Sequence, residues 1–186
     1  MRLIVKLLKD YKFYANKLVA ATCILCAVFV NNDVVGEEKM FTIEKIPKTL
    51  ESNMKQKNIW NESCPVPMER LRLLHLSYFD FNGKEHRHGQ MIVMDIAAVS
   101  VIKIFKHLHA AHFPIDKIKL INDYNGDDEA SMADNNSSAF NCRKIVGTDE
   151  MSIHSYGLAI DINPVQNPYI NPNKSPESNH RLNKRG

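Results

Sequence analysis

The dipeptide Asn82-Gly83 separates two β-type runs, Leu71 to Phe81 and Gln90 to Asp95, and tolerates the positive φ that a tight turn demands. A hairpin at this point commits the chain to antiparallel pairing. Directly downstream, from Asp95 to His112, the apolar residues Ile96, Val99, Ile102, Phe105, Leu108 and Ala111 recur at three-residue steps. Lys103, Lys106 and His109 take the other side, so an amphipathic helix is expected to pack on the sheet, with Pro114 ending it. "KIKLIND" alternates as a further strand, and Asn125-Gly126 marks a turn. "DDEASMADNNSSAFNCRKI" reads as a polar loop entering a strand near Ala139 to Ile145. The expected fold class is therefore α+β, a small antiparallel sheet with one packed amphipathic helix, preceded by an N-terminal signal or anchor helix.

That leading segment is read from its charge. Arg2, Lys6, Lys9, Lys12 and Lys17 precede thirteen apolar or small residues, "LVAATCILCAVFV", fewer than the roughly 20 that span a bilayer. Residues 1–36 are accordingly expected to be an export signal peptide or an uncleaved membrane anchor. Residues 37–58, charged and lysine-rich, read as a polar spacer, and residues 59–186 as one domain beginning near Ile59. An exported chain is expected in the periplasm, in the cell wall or at the membrane. A net charge of +3, partly carried by the N-terminus, argues against a nucleic-acid-binding stripe. Cys23 and Cys26 sit inside the apolar run as filler. Cys64 and Cys142 remain as an even pair, open to a disulfide or to two buried thiols.

The chemistry concentrates in "SIHSYGLAIDINPVQNPY", Ser152 to Tyr169. His154 and Asp161 are too far apart to share an ion from one regular element, about 23 Å along a strand or about 10 Å along a helix. The chain must turn between them, and Gly157 is free to take the backbone conformation a turn needs. After the turn, Leu158, Ile160 and Ile162 would face a core, while Gly157, Ala159 and Asp161 line the other face like a cleft floor. A carboxylate there needs a cation, hydrogen-bond donors or a metal; the equal alternative is an Asp capping a turn with Asn163-Pro164. His86 and His88, on the hairpin connection, are expected as solvated residues rather than ligands. His107, His109 and His112 suit the C-terminal end of a helix.

The segment resembles the Ser-x-His-x-x-Gly-x-Ala-x-Asp motif of the zinc D-alanyl-D-alanine carboxypeptidase and L-alanyl-D-glutamate peptidase family, the VanY-like and endolysin-type peptidases of bacterial cell walls. Ser152, His154, Gly157, Ala159 and Asp161 fill every named position. The likeness extends to "NPVQNPY" and "SMADNNSSAFNCR", and to the hairpin region, over roughly residues 60 to 172. It implies one zinc ion with His154 and Asp161 as two of three protein ligands, and Arg143 as the arginine that binds substrate or a developing oxyanion. It also implies peptidoglycan stem peptides as partners of a protein acting as a monomer, with the membrane a partner only through an uncleaved leader. The family's third ligand is a histidine three residues after an acidic base in an aromatic-flanked segment. Downstream of Asp161 the one histidine is His180, with Glu177 three residues before it but in polar surroundings, so the expectation is a C-terminally truncated member. Two readings follow: a zinc peptidase, or a noncatalytic, membrane-tethered relic that binds wall peptides or has no activity.

Overall fold

The computed structural model describes residues 40–168. Strand β1 (Phe41–Lys45) pairs antiparallel with β2 (Leu71–Phe79), which pairs antiparallel with β3 (Glu85–Met94), in the order β1-β2-β3. The hairpin forms where Asn82-Gly83 placed it. Gly83 takes a φ of +76°, and Asp80 completes the turn by accepting the Asn82 and Lys84 backbone N–H groups at 2.9 and 3.0 Å. The second run begins earlier than expected, and His86 and His88 lie within β3 instead of in a loop. His86 stacks on Tyr78, with Nε2 2.8 Å from the Asp80 carboxylate, a strand position that the flexible-looking "GKEHRHG" composition disguised.

Helix α2 (Asp95–Ala110) follows β3 directly. Its buried stripe is Ala98, Val101, Ile102 and Phe105, whereas Ile96 and Val99 stand 73% and 57% exposed. A strict three-residue step drifts about 60° backward at each step on a helix of 3.6 residues per turn, so the expected series winds off the core face. At the far end, His109 packs beside Phe79 with Nε2 2.9 Å from Glu85, and His112 stacks on Phe79. Both histidines join the helix to the hairpin; His109 is partly enclosed there, while His112 stays exposed at the helix end as expected.

The sheet is covered on both faces. On one, Leu74, Leu76, Tyr78, Met91 and Val93 pack against α2, Ile115, Ile118 and Ala139. On the other, Leu71, Leu73 and Ile92 meet Met54, Ile59, Trp60, Val66, Met68, Leu120, Ile121 and Phe140. The expected spacer 37–58 therefore needs correction. It contains β1 and helix α1 (Lys48–Gln56), whose Met54 is fully buried, so the folded unit starts well before Ile59. One buried methionine in a lysine-rich helix is a weak sequence signal but a real anchor. Cys64 and Cys142 form a disulfide packed beside this second core.

Beyond α2 the strands are short. Strand β4 (Lys117–Ile118) pairs in parallel with β5 (Asn136–Ser137), and a 3₁₀ turn, Ile121–Tyr124, ends at Asn125 and Gly126, both with positive φ. The stretch read as a polar loop holds helix α3 (Asp128–Ala133), capped by Asp127, which accepts the Ala130 N–H. No strand spans Ala139 to Ile145; single bridges join Ser138 to Asp161 and Lys144 to Met151. Side-chain amides take the place of ladder bonds. Asn136 accepts the Lys119 N–H at 2.8 Å and donates to the Lys119 carbonyl at 3.1 Å, and the Asp134 carboxylate gathers the Tyr124 hydroxyl and the Lys117 ammonium. Among the described residues no helix is long and apolar enough to cross a membrane; the expected leader, 1–36, lies outside them.

Candidate metal centre

The turn demanded by the His154–Asp161 spacing exists, and its seat is β3. His154 sits on a 3₁₀ turn, Ile153–Tyr156, whose first N–H groups are met by Ser152: its side chain accepts from His154 N–H at 3.3 Å. Gly157 closes the turn with a φ of +63° and accepts the Met94 N–H at 3.0 Å. A β-carbon there would stand 2.7 Å from the Met94 nitrogen and 3.0 Å from the Val93 carbonyl carbon. Backbone meets backbone at this point, which only glycine allows.

From Gly157 the chain runs extended to Asp161, which exchanges both backbone hydrogen bonds with Ser138, at 2.9 and 3.1 Å. It is a bridge, not the strand expected, because it pairs at one residue only. Ile160 and Ile162 pack on the α2 core as expected, but Leu158 is exposed. The turn that follows is organised by Asn163, not by Asp161. Asn163 accepts the Asp116 N–H and donates to the Pro114 carbonyl, and its carbonyl receives the Gln166 and Asn167 N–H groups. With the turn assigned to Asn163, the Asp161 carboxylate is left for a different partner.

That partner is His154, whose Nε2 lies 3.2 Å from Asp161 Oδ2. The other ring nitrogen, Nδ1, is 2.7 Å from the Ala139 carbonyl oxygen, which can only accept, so Nδ1 carries a hydrogen. In a neutral ring Nε2 then presents a lone pair, and a carboxylate oxygen faces it. Two acceptors at 3.2 Å repel unless a proton or a cation stands between them. Two ligands each about 2.0–2.1 Å from a tetrahedral ion lie about 3.3 Å apart, so the spacing fits two corners of a zinc site. The Nδ1–H to carbonyl bond is the usual outer support of a ligating histidine. Asp161 is 44% exposed, so its carboxylate is less desolvated than the sequence suggested and the pair opens to solvent.

Arg143 is held beside this turn. Its N–H donates to the Ser155 hydroxyl oxygen at 2.9 Å, the Ser155 hydroxyl donates to its carbonyl at 2.7 Å, and the Ser152 N–H bonds the same carbonyl. The guanidinium pairs through Nη2 with the Asp128 carboxylate, while Nε is buried with no acceptor. Sequence reasoning missed the roles of Ser155 and Asp128: Ser155 stands inside the motif at a position the family pattern leaves unnamed, and Asp128 stands in what reads as a polar loop.

Among the described residues no group of three or more His, Cys, Asp or Glu side chains is placed to hold a metal ion. Glu177 and His180 lie outside the described residues. Residues 146–185 match the family model described as D-alanyl-D-alanine carboxypeptidase. The match takes in His154, Gly157, Asp161, Glu177 and His180, and begins just after Arg143. It bears out the resemblance carried by the Ser152–Asp161 motif and supports a cell-wall peptidase-like family. No curated protein and no solved structure matches the chain.

Proposed function

We propose that this protein is an exported, zinc-dependent peptidase of the bacterial cell wall, acting as a monomer on peptidoglycan stem peptides at a D-Ala-D-Ala or an L-Ala-D-Glu bond. The observation that carries the reading is the acceptor–acceptor contact of His154 and Asp161, fixed by the Nδ1–H bond to Ala139. His154 Nε2 and Asp161 Oδ2 would hold the ion. Zinc bound there supplies Lewis-acid polarisation of the scissile carbonyl and an acidified water. Arg143 offers a fixed guanidinium to a peptide carboxylate or to the oxyanion that develops on attack. Its backbone is tied to the His154 turn, so charge and metal ligand keep one register.

A second reading is a noncatalytic wall-peptide binder, tethered to the membrane if the leader is retained. It is favoured by the lack, among the described residues, of a third ligand beside His154 and Asp161. Incubating the full chain with zinc and with peptides ending in D-Ala-D-Ala or containing L-Ala-D-Glu separates the two. Hydrolysis abolished by His154→Ala supports the enzyme. Peptide binding without hydrolysis supports the binder, and neither binding nor hydrolysis sinks both.

A further inference from the structure

We infer that Asp128 is a positioning residue for Arg143, holding its guanidinium at the site so that it can receive a substrate carboxylate; the inference rests on the peptidase reading above. The two residues come from different elements. Asp128 opens helix α3, and Arg143 lies on the extended segment that runs past the His154 turn.

The contacts around this pair divide the labour cleanly. Arg143's backbone is fixed on both sides by Ser155 and by the Ser152 N–H. Nothing in that clamp constrains the side chain, which has four rotatable bonds and ample freedom to leave the site. Asp128 supplies the constraint. One of its oxygens takes Arg143 Nη2, and the other takes the Asn141 side-chain amide at 3.3 Å. Asn141 in turn donates its own N–H to the His154 carbonyl at 3.2 Å. Residues 141 and 143 project to the same side of an extended segment, so one carboxylate secures both and ties the guanidinium to the backbone of the metal-ligand turn.

The geometry also says why a surface ion pair is an insufficient description. Arg143 and Asp128 are each about three-quarters enclosed, at 29% and 24% side-chain exposure. Arg143 Nε is sealed from solvent with no acceptor. A buried guanidinium N–H without a partner is unfavourable, and a mobile arginine would relieve it by swinging outward. It stays because Nη2 is anchored. With Nη2 committed to Asp128 and Nε enclosed, Nη1 is the part of the fork left to meet a ligand.

The test uses the full chain with one equivalent of zinc, in wild-type, Asp128→Asn, Asp128→Glu, Arg143→Lys and Arg143→Ala forms. D-alanyl-D-alanine is the probe, and the ¹⁵N signal of the Arg143 side-chain Nε–H is followed without ligand. Asp128→Asn keeps the shape and an acceptor, and urea midpoints establish that each variant is folded. Positioning predicts that Asp128→Asn weakens dipeptide binding tenfold or more, approaching Arg143→Ala. It also predicts that Asp128→Asn speeds solvent exchange of the Nε–H by tenfold or more, and that Asp128→Glu recovers part of both. If wild type binds the dipeptide and Arg143→Ala loses it, while Asp128→Asn binds as wild type, the positioning role is overturned and the peptidase reading stands. If Arg143→Ala and wild type bind the dipeptide equally, or neither binds it, Arg143 holds no dipeptide carboxylate and the positioning role falls; the peptidase reading falls with it only if the wild type also hydrolyses neither of the two peptides named above.

Discussion

Replacing Gly157 with alanine adds one methyl group at the point where the His154 turn is seated on the sheet. Two costs follow. The residue has a φ of +63°, where a β-carbon costs about 1–2 kcal/mol. The new carbon would also lie 2.7 Å from the Met94 nitrogen, and backbone cannot step aside as a side-chain tip can, which adds about 1–3 kcal/mol of overpacking. The sum, about 2–5 kcal/mol, is a large share of the roughly 5–15 kcal/mol by which domains are stable. The control is Gly83→Ala at the hairpin tip, with a φ of +76° and nothing within 4 Å of the new carbon, so that only the first cost applies. Urea unfolding of both variants, extrapolated to water, should place Gly157→Ala about 1–3 kcal/mol below Gly83→Ala. Equal losses would mean that the turn is not pressed against Val93 and Met94, and the seating of His154 described above would be wrong.

Three further outcomes follow from the structure. Removing the disulfide by Cys64→Ser with Cys142→Ser opens a loop whose ends are 78 residues apart, which on the chain-entropy account costs about 4.5 kcal/mol; a loss below about 1 kcal/mol in denaturant unfolding would refute that account here. Met54→Ala should cost about 2–5 kcal/mol although it lies in a lysine-rich helix, and a neutral result would return residues 48–56 to the status of a spacer. Among the described residues five carboxylates are held below their ordinary values, Glu51 by Lys55 and Lys48, Asp80 by His86, Glu85 by Arg87 and His109, Asp95 by Arg70, and Asp134 by Lys117 and Tyr124. Each contributes stability that is full above the free-carboxylate range of about pH 4–4.5 and disappears as pH falls through its lower folded value. Unfolding free energy measured against pH should therefore hold near neutrality and fall below about pH 4, and a curve flat to pH 2 would contradict these pairings.

Features set by a few neighbouring residues were legible in the sequence. Asn82-Gly83 gave the hairpin because one glycine with positive φ suffices, and the His154–Asp161 spacing gave the turn because no regular element brings those two side chains together. Features carried by distant partners were not. Strand β1 is stabilised by pairing with Leu71–Phe79, which its own charged residues do not announce. The short α3 was masked because Asp127, Asp128 and Glu129 read as loop residues, yet acidic residues cap and favour a helix start. The region around Asn136 and Asn163 defeated strand reading because side-chain amides stand in for backbone ladders. At the site, the motif supplied the two candidate ligands, whereas the Ala139 carbonyl that orients His154 and the Asp128 carboxylate that pairs with Arg143 lie where no local pattern points.

In the proposed function His154 and Asp161 share a cation. The most direct measurement is zinc affinity of the full chain, by competition with a chromophoric chelator, for wild type, His154→Ala and Asp161→Asn. Shared ligation predicts one equivalent of zinc, bound more tightly as pH rises because protons are displaced. It also predicts a loss in each variant greater than the roughly 100-fold that removal of an outer-sphere partner causes. Zinc held equally well by His154→Ala would show that the 3.2 Å contact of His154 and Asp161 is not a zinc site.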